Sequence, residues 1–202
     1  MNITATKLKN MSHSNPDQKN NPFRNPWKTL SSKSAFKNAW FRVREDRVIR
    51  PDGKEGEYAF LEKNAATGVV ALTPANEVYL VGQWRYPMEC YSWEIIEGGA
   101  EDGETPEEAA RRELKEEAGL IAKRFIPLGG EIHLSNCVTS EKSYLFLAED
   151  LVETEKSPDA TEILVIKRVP LIECLELIKR GEIFDALTII AIYQTATLIN
   201  AR

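Results

Sequence analysis

Behind Glu104, five more glutamates, Glu107, Glu108, Glu113, Glu116 and Glu117, fall within the stretch ETPEEAARRELKEEAGL, Glu104 to Leu120. Glu113, Glu116 and Glu117 stand at i, i+3 and i+4. On a helix these positions share one surface, and like charges there repel by a few tenths of a kcal/mol per pair. A surface shaped for stability alone would place Lys four residues after Glu; here Glu117 follows Glu113. Along a helix axis the two lie ~6 Å apart. Carboxylates at that separation can hold a hard divalent cation, and Mg²⁺ takes oxygen ligands while keeping several waters. A cation turns the repulsion into attraction, so the chemistry these residues offer is metal-assisted.

The helix that must carry them is well specified. Thr105 is a good N-cap, Glu108 completes a capping box, and Pro106 suits the first helical position. Gly119 is placed to end the helix. Ala110, Leu114 and Ala118 recur every fourth residue as a narrow buried seam. Glu108 and Arg112 are spaced for an i, i+4 ion pair. Glu107 and Glu108 sit where the helix dipole favours negative charge. Two glutamates therefore serve the helix, and three are left for chemistry.

The elements around this helix mix strands and helices without strict alternation, which predicts an α+β or mixed-sheet sandwich. Residues 1–34 are rich in Asn, Ser, Lys and Pro and read as a flexible tail. Residues 35–63 read as a small β-unit, strand–turn–strand around Pro51-Asp52-Gly53. Two strands are too few to stand alone, so the unit must lean on the main domain or a second subunit. Residues 64–202 form the main domain. In it GVVALTPANEVYLVGQWRYP reads as a hairpin turning at Thr73–Asn76, and YSWEIIEGG as one strand running into glycines. FIPLGGEI, SYLFLAED and EILVIKRVP are further strand candidates. LIECLELIKRG and the segment from Phe184 to Asn200 read as helices, the second as apolar core.

Composition excludes several classes. The net charge of −5 over 202 residues argues against a basic nucleic-acid face. Two histidines, His13 and His133, make a multi-histidine zinc site improbable. Cys90, Cys137 and Cys174 are widely spaced and odd in number, which predicts reduced thiols in a cytoplasmic protein. No apolar run reaches the ~18–20 residues of a membrane span, and the N-terminus lacks the apolar core of a signal peptide.

From Gly98 to Leu120, GGAEDGETPEEAARRELKEEAGL resembles the Nudix box. Gly98, Glu104, Arg112, Glu113, Leu114, Glu116, Glu117, Gly119 and Leu120 meet every fixed position of that motif. The resemblance implies a Nudix α/β/α sandwich with a mixed sheet. It also implies a bound Mg²⁺ or Mn²⁺ and hydrolysis of a nucleoside diphosphate linked to another group. By the same resemblance Glu113 and Glu117 are direct metal ligands, Glu116 a ligand or its partner, and the Glu97 backbone carbonyl a further ligand. Arg112 orients the glutamates, and Glu104 braces the loop.

The flanks look like those of ADP-ribose and nucleotide-sugar pyrophosphatases. VGQWRYPMECYSWEIIEGG resembles their Gln-aromatic-Arg pattern, which implies that Arg85 contacts the diphosphate or terminal sugar. Arg suits such bidentate oxygen recognition. Glu94 falls where this subgroup carries an acid facing the substrate. Trp93 and Glu94 alternate on a strand, so one points in and the other out. In these relatives the N-terminal β-unit exchanges between two subunits and supplies an aromatic that stacks on the base. Trp40, Phe41, Tyr58 and Phe60 are the candidates here. The implied partners are a nucleotide-sugar substrate and a second copy of the chain, with no nucleic acid and no membrane.

Two departures qualify the resemblance. LSNCVTSEKSY carries Asn136-Cys137 where ADP-ribose enzymes commonly have Pro-Gly, which favours a GDP- or UDP-hexose. Ser140-Glu141 does match, and makes Glu141 a candidate for positioning water. In the late loop TEKSPDATEILV, Asp159 falls on the usual general-base position, but Glu is the commoner type there, which ranks Glu162 ahead. The rival readings are a Nudix hydrolase of nucleoside triphosphates, oxidised ones included, and a nucleotide sensor without catalysis. The extra residues ahead of the core argue against the first, and the complete set of box glutamates against the second.

Overall fold

The structure, a computed structural model, describes residues 23–156 and 163–201. The chain divides into two compact units: residues up to Lys33 with Glu45–Tyr58, and Ser34–Arg44 with Ala59 onward. Strands β1 (Lys28–Lys37), β2 (Arg42–Ile49) and β3 (Glu55–Glu62) form a three-stranded sheet in the order β1-β2-β3. The stretch read as a tail therefore becomes strand from Lys28, and β1 exposes all ten of its residues. In the first unit the expected turn is present. Gly53 takes φ +80°, and its N–H donates to the Arg50 carbonyl at 2.9 Å. Trp27 packs edge-on against Tyr58 with centroids 5.5 Å apart.

The second unit holds two more sheets. The four-stranded one runs β7 (Ile96–Gly99), β4 (Ala66–Ala71), β9 (Ser143–Glu153), β8 (Leu120–Pro127). It is mixed: β4 pairs parallel with β9, while β7 and β8 pair antiparallel. The three-stranded one runs β10 (Val165–Pro170), β5 (Glu77–Arg85), β6 (Cys90–Glu94), all antiparallel. Helices α1 (Pro106–Ala118), α2 (Leu171–Lys179) and α3 (Ala186–Asn200) complete the unit.

Period-two alternation explains the layers. On β4 and β9, Val70, Leu145 and Leu147 face a core shared with Leu171, Cys174, Leu187, Ala191 and Ile192 of α2 and α3. Their neighbours Val69, Ala71, Phe146 and Ala148 face a second core with Ala110, Leu114 and Ala118 of α1. Strands buried on both faces read as continuous apolar runs. The result is the α/β/α sandwich.

Two sequence expectations are corrected here. The segments around Thr73–Asn76 do not form a paired hairpin. β4 and β5 belong to different sheets, and pairing beside the turn is confined to the Leu72–Val78 bridge and the Thr73 N–H bond to the Glu77 carbonyl at 2.9 Å. The turn carries the chain from one sheet to the other, closed by Asn76 N–H to the Thr73 carbonyl at 2.9 Å. Likewise YSWEIIEGG is two strands, broken at Ile95, where the chain again changes sheets. An apolar run signals burial on both faces, but it does not say which sheet takes it.

Candidate active site

Helix α1 forms as its sequence specifies. Thr105 Oγ1 accepts the Glu108 N–H at 3.3 Å, and Glu108 Oε2 accepts the Thr105 N–H at 2.8 Å. Gly119 ends the helix at φ +65°, a conformation open to glycine without strain. This fixes the angular position of every glutamate on the helix.

The centre of the arrangement is Arg112. Its Nε donates to Glu104 Oε1 at 3.0 Å and its Nη2 to Glu104 Oε2 at 3.0 Å. Nη1 reaches Glu113 Oε1 at 2.7 Å and Glu116 Oε2 at 3.0 Å, and Nη2 also donates to the Gly99 carbonyl at 2.9 Å. One guanidinium thus ties the loop ahead of the helix to two of its carboxylates. Glu104 also accepts the Glu101 N–H at 2.9 Å, which braces the loop. Arg112 holds the Glu104 carboxyl below the usual carboxylate range. The expected Glu108–Arg112 pair does not form. Glu108 is committed to its cap, and the i, i+4 pair at the helix start is Glu107–Arg111.

Gly98 of β7 supplies the surface against which Glu113 lies. A Cβ at Gly98 would stand 2.0 Å from the Glu113 carboxyl carbon and from its Oε1. Any side chain there would expel that carboxylate, which is the physical reason for glycine at the head of the motif.

The strand side is built from residues far apart in sequence. Glu94 is 1% exposed, and both its oxygens are taken by Arg85: Nε lies 3.0 Å from Oε1 and 3.1 Å from Oε2, and Nη2 bonds Oε2 as well. The alternation of Trp93 and Glu94 is thereby settled, with Glu94 in. Glu94 is not part of the cleft lining; it holds Arg85, which is. Trp93 does not line the cleft. It packs against the larger core, with Lys167 Nζ 3.7 Å above its ring.

Glu97 also brings its side chain to the cleft. Its side chain accepts the Thr188 hydroxyl at 3.1 Å. Burial, and then the neighbouring Asp185, hold its carboxyl well above the usual range. Asp185 caps α3 by accepting the Thr188 N–H at 2.7 Å. Sequence reading treated this helix as core alone and missed both residues. A good N-cap at Asp185 was the one available signal.

These groups meet in a cleft of about 820 Å³. Its lining includes Arg85, Glu97, Gly98, Arg112, Glu113 and Asp185, with Trp40, Lys63 and Glu141. Trp40 is 77% exposed. Its backbone is fixed by Asn38, whose Oδ1 accepts the Trp40 and Phe41 N–H groups at 2.9 and 2.8 Å. Glu141 pairs with Lys63 at 2.6 Å. Phe41 instead packs against Phe36, and Phe60 lies under Arg44. Tyr58 belongs to the other unit, where Trp27 is its neighbour. Glu117 is 4% exposed beside the α1 seam. Asp159 and Glu162 lie outside the described residues.

Comparison with known proteins decides the family. The profile of the NUDIX domain matches residues 62–189, and that of the nucleoside diphosphate sugar hydrolase N-terminal domain matches residues 27–61. The chain belongs to the Nudix hydrolase family. This Nudix hydrolase is 32% identical over 167 residues to an ADP-ribose pyrophosphatase of Bacillus subtilis (strain 168), covering 82% of this chain and 90% of the relative. It is 30% identical, over similar shares of each chain, to a methanol dehydrogenase activator of Bacillus methanolicus. Its fold matches a crystal structure of an ADP compounds hydrolase with a TM-score of 0.75 and 22% identity, covering 87% of this chain and 95% of that one.

Nudix hydrolases generally work with divalent metal ions. Among the described residues no three His, Cys, Asp or Glu side chains are grouped as a ready ligand set. In this arrangement Arg112 draws Glu113 and Glu116 onto one nitrogen. The residues present nonetheless fit a hard cation. The donors are all oxygen, as such ions require. Glycine at position 98 makes room for the Glu113 carboxylate against β7. Six acids line the cleft (Glu97, Glu101, Asp102, Glu113, Glu141, Asp185) against three bases, Lys63, Arg85 and Arg112. Such a lining repels a diphosphate unless cations neutralise it.

Proposed function

We propose that the cleft hydrolyses the diphosphate bond of a nucleoside-diphosphate sugar to a nucleoside monophosphate and a sugar phosphate, with Mg²⁺ as the working ion. The observation that carries this reading is the pairing, in one cleft, of the box residues Arg112 and Glu113 with an arginine clamped by a buried carboxylate. The match of residues 27–61 to a nucleoside diphosphate sugar hydrolase domain supports the substrate class. The name of the 32% identical relative favours ADP-ribose over the GDP- or UDP-hexose that Asn136-Cys137 suggested.

Glu113 and Glu117 would hold the metal, with Glu116 and the Glu97 carbonyl as further oxygen donors. When bound, the metal neutralises the diphosphate, polarises phosphorus and acidifies water. The chain's own residues do the rest. Arg85, its fork fixed by Glu94, presents N–H donors to the diphosphate or the terminal sugar. Arg112 keeps Glu113 and Glu116 on one side of the helix. Trp40 offers an exposed ring at the cleft for a base to stack upon. Glu141, held by Lys63, positions water, and Asp159 or Glu162 takes its proton.

We also read strand β1, exposed along its whole length with Leu30 and Phe36, as contributing to a homodimer. A dimer is expected by sedimentation at micromolar concentration, and only monomer would contradict it. No described helix is long and apolar enough to cross a membrane. The three free cysteines support a cytoplasmic setting. Purified protein with Mg²⁺ should release monophosphate from a panel of ADP-ribose, ADP-glucose, GDP-mannose and UDP-glucose. Turnover of nucleoside triphosphates with none of the panel cleaved would overturn the reading.

A further inference from the structure

Thr188 sits in the first turn of α3, more than ninety residues beyond Ile95 and Glu97 in sequence, and is fully buried. Its hydroxyl accepts the Ile95 N–H at 3.0 Å and donates to Glu97 Oε1 at 3.1 Å. Ile95 is the residue at which the chain leaves β6 for β7 and changes sheets. Glu97 directly precedes Gly98, and Gly98 is the surface on which the Glu113 carboxylate rests. Thr188 is itself located by Asp185, which accepts its N–H at 2.7 Å. One hydroxyl therefore bonds both the sheet-switching residue and the residue just ahead of the motif.

We infer that Thr188 is a positioning residue for the hydrolytic site, its hydroxyl locking the β6–β7 junction and the Glu97 side chain in one geometry, with Asp185 locking Thr188. This rests on the reading of the cleft as a metal-dependent diphosphate site. A hydroxyl has one donor and can accept as well, so it can serve an N–H and a carboxyl oxygen at once. Valine has the same shape and can do neither, which would leave the buried Ile95 N–H stranded and release the Glu97 side chain from its tether. The displacement would fall on residues 95–98, and so on the contact between Gly98 and Glu113.

The test compares Thr188→Val and Thr188→Ser in the full chain. Mn²⁺ binding is followed by electron paramagnetic resonance, and steady-state kinetics use ADP-ribose. The valine variant should bind Mn²⁺ about 10–100-fold more weakly, the usual cost of losing a partner behind a metal ligand. Its kcat should fall while KM for ADP-ribose changes little. The serine variant, which restores the hydroxyl, should restore both. If valine lowers only the melting temperature and leaves Mn²⁺ affinity and kcat at wild-type values, Thr188 is merely structural and the inference is wrong. Should the valine variant not fold, Thr188→Ala, which leaves room for a water, carries the same comparison. Failure of the wild type to cleave ADP-ribose would count against the substrate reading alone, because Mn²⁺ affinity still decides the role of Thr188. A wild type that binds no Mn²⁺ overturns both.

Discussion

The two walls of the cleft are built in opposite ways. On the helix wall, one arginine serves three carboxylates, and all four residues fall between Glu104 and Glu116. On the strand wall, Glu94, Glu97 and Asp185 come from a strand, a second strand in another sheet, and a helix cap. The first wall is held by local geometry: once the cap at Thr105 sets the helix, the spacing of the glutamates follows. The second is held by tertiary packing and has no local pattern. The lesson is that carboxylates kept near water can be crowded by a shared ion pair, whereas a fully buried one needs a dedicated partner, as Glu94 has in Arg85.

The walls should therefore fail differently. The largest effect is expected at the helix wall for Glu117→Gln. It should cut kcat by more than the about 10–100-fold that loss of an outer partner costs. The melting temperature should not fall, since a buried like charge is removed from beside Glu113. Unfolding of this variant, with wild-type turnover in the folded remainder, would make the glutamates structural.

Next comes the strand wall. Arg85→Ala removes the charge-assisted donors, each worth about 1.5–3 kcal/mol, and KM for the nucleotide sugar should rise by at least about tenfold. Unlike Glu117→Gln it should also lower thermal stability, because Glu94 is left buried without its cation. The double variant Arg85→Ala with Glu94→Gln should regain part of the stability and none of the KM. Equal stability of the single variant and wild type would show that Glu94 does not depend on Arg85.

Arg112→Lys should cost less than losing a ligand, about tenfold in kcat, because an ammonium lacks the planar fork that serves Glu104, Glu113 and Glu116 together. It also has a pH signature. Arg112 holds Glu104 below the ordinary carboxylate range, so the pair's contribution is fully present above the unfolded pKa and lost as pH falls through the lowered folded one. Acid unfolding of Arg112→Lys should accordingly show a shallower loss of stability in that window than wild type. An unchanged acid limb would mean that the guanidinium is not what lowers Glu104. Smallest of all, Thr105→Ala should cost about 0.5–2 kcal/mol of stability through its cap, with kcat nearly intact.

Much of the helix wall was legible in the sequence, because caps and i, i+3, i+4 neighbours depend only on spacing. Thr105, Pro106, Glu108 and Gly119 behave as their types dictate. Arg112 shows the limit of that logic. Spacing paired it with Glu108, but a competing cap bond occupied Glu108, and Glu104, folded back from the preceding loop, took the guanidinium instead. The mixed sandwich was legible as a class. The changes of sheet at Ile95 and between β4 and β5 were not, since a residue buried on either side of a sheet looks the same in sequence. The strand β1 was hidden because its exposed positions carry the polar composition of a loop. On the strand wall, Arg85 could be singled out, but Glu94 as its clamp emerges only from the pairing of β5 with β6, and the bond of Thr188 to Glu97 only from packing across more than ninety residues.

The central claim is that the crowded carboxylates of α1 exist to hold a divalent cation. It is tested most directly by titrating Mn²⁺ into the wild type and Glu113→Gln, with the bound ion read by electron paramagnetic resonance. The account predicts saturable binding to the wild type that the variant loses while keeping its fold. Equal Mn²⁺ binding by the two proteins would contradict it.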